Sequence, residues 1–163
     1  MKQTMLAAIL VLASAGTASA GGQPGSVGVG AEYQLSGIGG LSVNYDAGRF
    51  HAGGFLGYDD PAGGNNTTVD IGGRFFFHVA TSALSDFSIG GGLGIRSEYR
   101  NVGAMGPTRQ TDLFLEPSFQ IRAFVASNVA LSFTGGLTIG TIDASEVGIT
   151  AQPTGIAGVH YYF

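Results

Sequence analysis

The chain has no cysteine and no tryptophan, and its one lysine is Lys2. Without cysteine it has neither a disulfide framework nor a thiol for lipid attachment. It has no run of like charges and no cluster of basic residues, so nucleic acid is excluded as a partner. It has no long apolar stretch either. A spanning helix needs about 20 apolar residues, and the run Met5–Ala13 is far shorter. Helix-favouring segments are scarce, because 29 of the 163 residues are glycine, a poor helix former. Yet mean hydropathy is positive, at +0.27. That combination arises where every second residue faces lipid.

Lys2, the apolar core Met5–Ala13 and the small residues Ala18-Ser19-Ala20 have the pattern of a secretory signal. Cleavage is expected after Ala20, so that 1–20 is a signal peptide and 21–163 a single domain. The mature chain then keeps six arginines against eleven acidic residues, a net charge of −5.

Period-two alternation recurs along that domain and predicts eight strands. They are 26–36, 41–46, 49–58, 67–80, 87–100, 111–126, 129–141 and 149–163. The sixth is the clearest: Leu113, Leu115, Phe119, Ile121, Ala123 and Val125 oppose Asp112, Glu116, Ser118, Gln120 and Arg122. Strand 41–46 is short for a membrane crossing and is expected to borrow from the Gly37–Gly40 connection. Pro117 removes a ladder hydrogen bond in mid-strand, so a bulge is expected there. Short connections at 46–48, 81–86 and 127–128 alternate with longer ones at 59–66, 101–110 and 143–148. Tyr45, Phe50, Phe77, Phe87, Tyr161 and Phe163 collect at one set of strand ends, and Tyr58 and Tyr99 at the other. That is the distribution of aromatic girdles.

The last strand ends on Phe163, with Tyr161 two residues before it and Gly158 three before that. With the strand count and the leader, this resembles the small eight-stranded bacterial outer-membrane barrels of the OmpA/OmpX type. Gly158, Tyr161 and Phe163 match that family's assembly signal; its polar residue two before the glycine is Ile156 here. The resemblance implies an all-β, eight-stranded antiparallel up-and-down transmembrane β-barrel in the Gram-negative outer membrane, with both termini periplasmic. It implies as partners outer-membrane lipid and lipopolysaccharide, the barrel-assembly machinery and periplasmic chaperones.

The inward face predicted by alternation carries Glu32, Asp70, Arg74, Arg96, Glu98, Glu116 and Arg122, with Asp46 and His78. Ionisable groups inside a membrane protein are functional candidates. An eight-stranded barrel is just wide enough to be filled by its own side chains. The expectation is an ion-pair network that plugs the lumen; the alternative is a narrow passive channel for ions or small solutes. Inward glycines leave room either for water or for Phe55, Phe76, Phe114 and Tyr162.

An enzyme is not expected, nor a cofactor or metal. His51, His78 and His160 all point inward, near the periplasmic end, and no His-x-Ser pairing or other spacing puts a serine beside them. Asp59-Asp60 with Asn65-Asn66 offers oxygen ligands for Ca²⁺, but reads better as a solvated loop. Gly90–Gly94 lacks phosphate-loop spacing and reads as a tightly curved strand. Tyr99, Arg100, Met105 and Arg109 would offer adhesive contacts on the outer loops. A soluble β-sandwich is the structural rival; it requires the apolar faces to pack on each other.

Overall fold

The computed structural model describes residues 23–61, 67–101, 106–141 and 149–163. The expected leader, Met1–Ala20, lies outside them, as do Asn65, Asn66, Met105 and the 143–148 connection. Eight strands follow in order: β1 Val27–Gln34, β2 Gly39–Asp46, β3 Phe50–Asp59, β4 Thr68–Thr81, β5 Ser85–Asn101, β6 Pro107–Ala126, β7 Val129–Thr141 and β8 Ile149–Tyr162. Each pairs antiparallel with its neighbour, and β1 closes on β8 through Val29↔Tyr161. Closure leaves no edge strand, so backbone groups pair around the whole wall.

β2 does start at Gly39, inside the Gly37–Gly40 connection. The chain reverses there at Gly37, whose φ of +110° suits glycine and whose N–H bonds to Gln34 O at 2.9 Å. Pro117 makes no bulge. Leu115↔Ile139 and Ser118↔Gly136 keep one register on either side of it, and pairing with β7 lapses at Glu116 and Pro117 between them. A proline lacks the N–H but needs no extra residue, so the ladder loses bonds without slipping. The register shifts lie instead at His78/Ala80 and Phe124/Ala126, both at the turn end.

Period two separates the two faces. One outward row runs Leu41–Leu56–Ile71–Ile95–Leu113 across five strands. All five side chains are exposed, as are Leu93, Leu115, Leu131 and Phe133. The apolar faces therefore do not pack on each other, and the sandwich is ruled out. Tyr45, Phe50, Phe77, Phe87 and Phe163 stand exposed at the turn end, with Tyr58 at the loop end. Phe55, Phe76, Phe114 and Tyr162 are buried inside. Three of them lie over inward glycines: Phe55 over Gly72, Phe114 over Gly94 and Tyr162 over Gly28. Large neighbours, rather than water, fill the space those glycines leave.

The wall is uneven in height. β1 and β2 have 8 residues each, β5 has 17 and β6 has 20. The β5–β6 hairpin thus rises above the first hairpin at the loop end.

Candidate functional site: the barrel lumen

The interior is a stack of arginines, most bridging two carboxylates. At the turn end, Arg122 on β6 is fully buried. Its Nε donates to Asp86 Oδ2 at 2.9 Å, its Nη1 to Tyr162 Oη at 3.0 Å and its Nη2 to Asp46 Oδ2 at 2.7 Å. The planar fork suits this multiple use. His78 Nε2 lies 3.1 Å from Nη2 of Arg122, and His78 Nδ1 lies 2.9 Å from Gly48 O. A carbonyl and a guanidinium fix the tautomer: Nδ1 carries the proton and Nε2 accepts. His51 Nδ1 lies 2.8 Å from the same His78 Nε2, so it and Arg122 share that nitrogen's one lone pair.

One level up, Arg74 on β4 bridges Glu32 on β1 and Glu116 on β6, the latter at 3.2 Å. Its guanidinium lies over the Phe55 ring, 3.9 Å from the centroid. Thr138 donates to Glu116 Oε1 at 3.2 Å. Above that, Arg96 grips Asp70 with two bonds of 2.9 and 2.7 Å, and donates to Gln34 Oε1 at 3.1 Å. At the loop-end mouth, Arg100 bridges Glu98 at 2.5 Å and Asp112 at 2.6 Å.

The arginines and carboxylates expected inside from alternation thus all lie on the inner wall, and every one is in an ion pair. Glu32, Arg74 and Glu116 form one group, Asp70 and Arg96 another; Glu98 and Arg122 belong to the mouth and turn-end groups. Two members of the network escape the sequence pattern, and a third lies on the expected face without being expected among the ion pairs. Asp86 reads as a turn residue when β5 is expected to begin at Phe87, whereas the strand begins at Ser85. Its phase with Ser88 and Gly90 is the available signal. Arg100, expected outside as an adhesive residue, turns inward, in phase with Arg96 and Glu98. Asp112 falls on the inner face by alternation, but nothing in the sequence joins it to the network.

Charge in this interior is unbalanced. Glu32, Asp46, Asp70, Asp86, Glu98, Asp112 and Glu116 meet Arg74, Arg96, Arg100 and Arg122. Carboxylates exceed guanidiniums at three of the four levels. Between the levels, Ser88, Gln120, Thr134 and Phe76 are buried. A water-filled pore would leave such lining exposed. A cavity of about 410 Å³ opens at the turn end against His78, Asp86, Arg49 and Phe124. One of about 40 Å³ lies at the mouth against Arg96, Arg100 and Asp112.

A serine does meet a histidine, contrary to the expectation from spacing. Ser42 Oγ is 2.6 Å from His160 Nε2. β2 and β8 both flank β1, and the closed wall brings these inward positions together. The pair lacks the geometry of a nucleophile and its base. Glu32 approaches the same nitrogen, at 3.6 Å, while Nδ1 is buried with no partner. A general base needs its orienting group on the other nitrogen. Both residues are also buried.

Asp46, His51 and His78 hold ligand atoms within 4.8 Å of one another. The Arg122 guanidinium already occupies the space between Asp46 and His78, so this donor set fits an arginine rather than a metal ion. Between β3 and β4, Asp60 accepts from Thr67 Oγ1 at 3.0 Å.

The residues of the expected assembly signal lie on the last strand. Gly158 faces inward beside Ser132 and Glu32. Tyr161 and Phe163 stack edge to face, 5.2 Å between centroids.

No family model matches the sequence, and no curated protein matches it. Solved structures do. The N-terminal β-barrel domain of Pseudomonas aeruginosa OprF matches with a TM-score of 0.66 at 12% identity, over 86% of this chain and 98% of that domain. Neisserial surface protein A (NspA) gives 0.56 at 16% identity, over 85% and 96%. Ail, the attachment invasion locus protein of Yersinia pestis, gives 0.50 at 10% identity, over 86% and 100%. The chain has the closed, eight-stranded, all-antiparallel barrel fold of the OmpA/OmpX type that its sequence resembles.

Proposed function

We propose that this chain is an integral outer-membrane protein with a structural role in the envelope. Its barrel spans the membrane, its lumen is plugged by its own ion pairs, and its loops are displayed outside. The observation that carries this is the contrast between the two faces. The outer wall is a continuous exposed apolar band, which water disfavours and lipid accepts. Each of the four interior arginines is paired.

In this reading residues 1–20 direct export and are removed, and both ends of the barrel lie in the periplasm. Gly158, Tyr161 and Phe163 are presented to the barrel-assembly machinery after periplasmic chaperones deliver the chain. The protein has no catalytic role.

Electrophoresis of outer-membrane fractions in SDS tests this, comparing unheated with boiled samples. A closed membrane barrel resists SDS until boiled and shifts in mobility. A periplasmic protein with no shift would overturn the proposal.

A narrow passive channel is the alternative, favoured by the 410 Å³ cavity that reaches His78 and Asp86 from the turn end. The interior excess of carboxylates would make such a channel prefer cations.

A further inference from the structure

Of the arginines on the barrel, Arg74, Arg96, Arg100 and Arg122 are in ion pairs. Among the described residues Arg49 and Arg109 are the two that are not. Arg49 is at a turn, while Arg109 is on the tall β5–β6 hairpin. On the outward face of that hairpin the sequence changes character over one row. Leu93–Leu115 and Ile95–Leu113 are apolar pairs; Ser97–Thr111 and Tyr99–Arg109 follow toward the loop end. Arg109 thus stands two rows beyond the last apolar pair that faces lipid. Strands rise about 3.4 Å per residue, so in the membrane reading Arg109 stands beyond the hydrocarbon, on the headgroup side of the apolar band.

Its position there is set by neighbours. Nε donates to Ser97 Oγ at 2.8 Å, and the guanidinium lies over the Tyr99 ring, 5.5 Å from the centroid. Thr111 Oγ1 braces the same Ser97 hydroxyl at 3.3 Å. With Nε engaged and the Tyr99 ring beside the guanidinium, Nη1 and Nη2 remain as a two-pronged donor. That is the geometry arginine uses on phosphate. Tyrosine beside arginine is also the pairing that anchors proteins at a membrane interface.

We propose that Ser97, Tyr99 and Arg109 form a binding site for an anionic phosphate monoester on an outer-leaflet lipid headgroup. The site rests on the membrane reading above and assigns it a specific lipid contact. Arg109 is the ligand-binding group; Ser97 and Tyr99 are positioning residues.

The test uses the barrel purified from outer membranes into detergent, with backbone amides of residues 97–99 and 109–111 followed by NMR. Phosphatidic acid in mixed micelles is the probe, phosphatidylcholine the zwitterionic control, and inorganic phosphate without lipid the free-ion control. Phosphatidic acid should shift these amides saturably, and phosphatidylcholine should not. Arg109→Ala should weaken the apparent affinity about fivefold, from roughly 1 kcal/mol per basic side chain at an anionic surface. Arg109→Lys, which keeps the charge but loses the fork, should fall between. Tyr99→Leu should weaken binding while Arg109 keeps its charge. No saturable shift, an equal response to phosphatidylcholine, or an unchanged Arg109→Ala variant would overturn the site. Equal affinity for inorganic phosphate alone would overturn its assignment to lipid. Heat-dependent migration of the same samples separates the two readings, because it reports the barrel whether or not the site binds.

Discussion

Two ends of the lumen use the same motif in different surroundings. At the turn end, Arg122 bridges Asp46 and Asp86, and its side chain is 0% exposed. At the mouth, Arg100 bridges Glu98 and Asp112; the Arg100 and Glu98 side chains are 38% and 24% exposed, and only Asp112, at 7%, is buried. The contacts are alike in length, so distance does not distinguish them. Solvent does. Charges held out of water depend on their partners for all their stabilisation, whereas charges at a wet mouth are rehydrated when a partner is lost. The partners also differ in reach. Arg122 ties β6 to β2 and β5, while Arg100 joins neighbours on one hairpin. An acid–arginine–acid group therefore braces the barrel at one end and decorates it at the other.

The largest test of that contrast is Arg122→Met. It strands Asp46 and Asp86 in a dry interior and should cost about 3–5 kcal/mol in urea unfolding of the refolded barrel. Adding Asp46→Asn and Asp86→Asn to it should recover much of the loss, because the stranded charges go with the arginine. A triple variant as unstable as the single one would show that the arginine acts by filling space rather than by charge. Next comes a charge moved to the other face of β5. Leu93 is exposed on the outer wall, so Leu93→Arg should cost about 2–4 kcal/mol in lipid. A neutral effect, measured the same way in vesicles, would mean that this surface does not face hydrocarbon.

Gly94→Ala should follow, at about 1–3 kcal/mol, because an added Cβ runs into the Phe114 ring 2.5 Å away. Gly94→Ala with Phe114→Leu should recover only part of that loss, because the added Cβ also meets the Ile71 carbonyl oxygen at 2.7 Å. The smallest effect should be Arg100→Met, at about 1–2 kcal/mol, because Glu98 is rehydrated at the mouth while Asp112 stays buried. A loss as large as that of Arg122→Met would erase the distinction between the two ends.

The sequence foretells some of this and not the rest, for physical reasons. Strict alternation separates the faces, because neighbouring strand residues must point to opposite sides. Leu113 and Glu116 are thereby assigned to opposite walls without any structure. Alternation says nothing about height, so it does not reveal that Arg74 meets Glu32 and Glu116 while Arg96 meets Asp70. Those meetings depend on the stagger between strands and on closure across β1 and β8. The Ser42–His160 contact, 118 residues apart in sequence, is invisible for the same reason. Strand ends fail where local chemistry misleads. Ser85 and Asp86 resemble turn residues, and Pro107 resembles a loop residue, yet all three lie in the long hairpin. Pairing with a neighbour overrides weak local preference there. Pro117 suggests a bulge only if a missing N–H is equated with a lost register.

In the proposed function this interior is closed by its own charges. Planar-bilayer conductance of the refolded wild-type barrel tests it most directly, beside charge reversals at Arg96 and Glu116. A plugged lumen gives no steady conductance above the bare bilayer, and the reversals lose folding without new current. A steady current in the wild type whose ion selectivity changes with either reversal would contradict it.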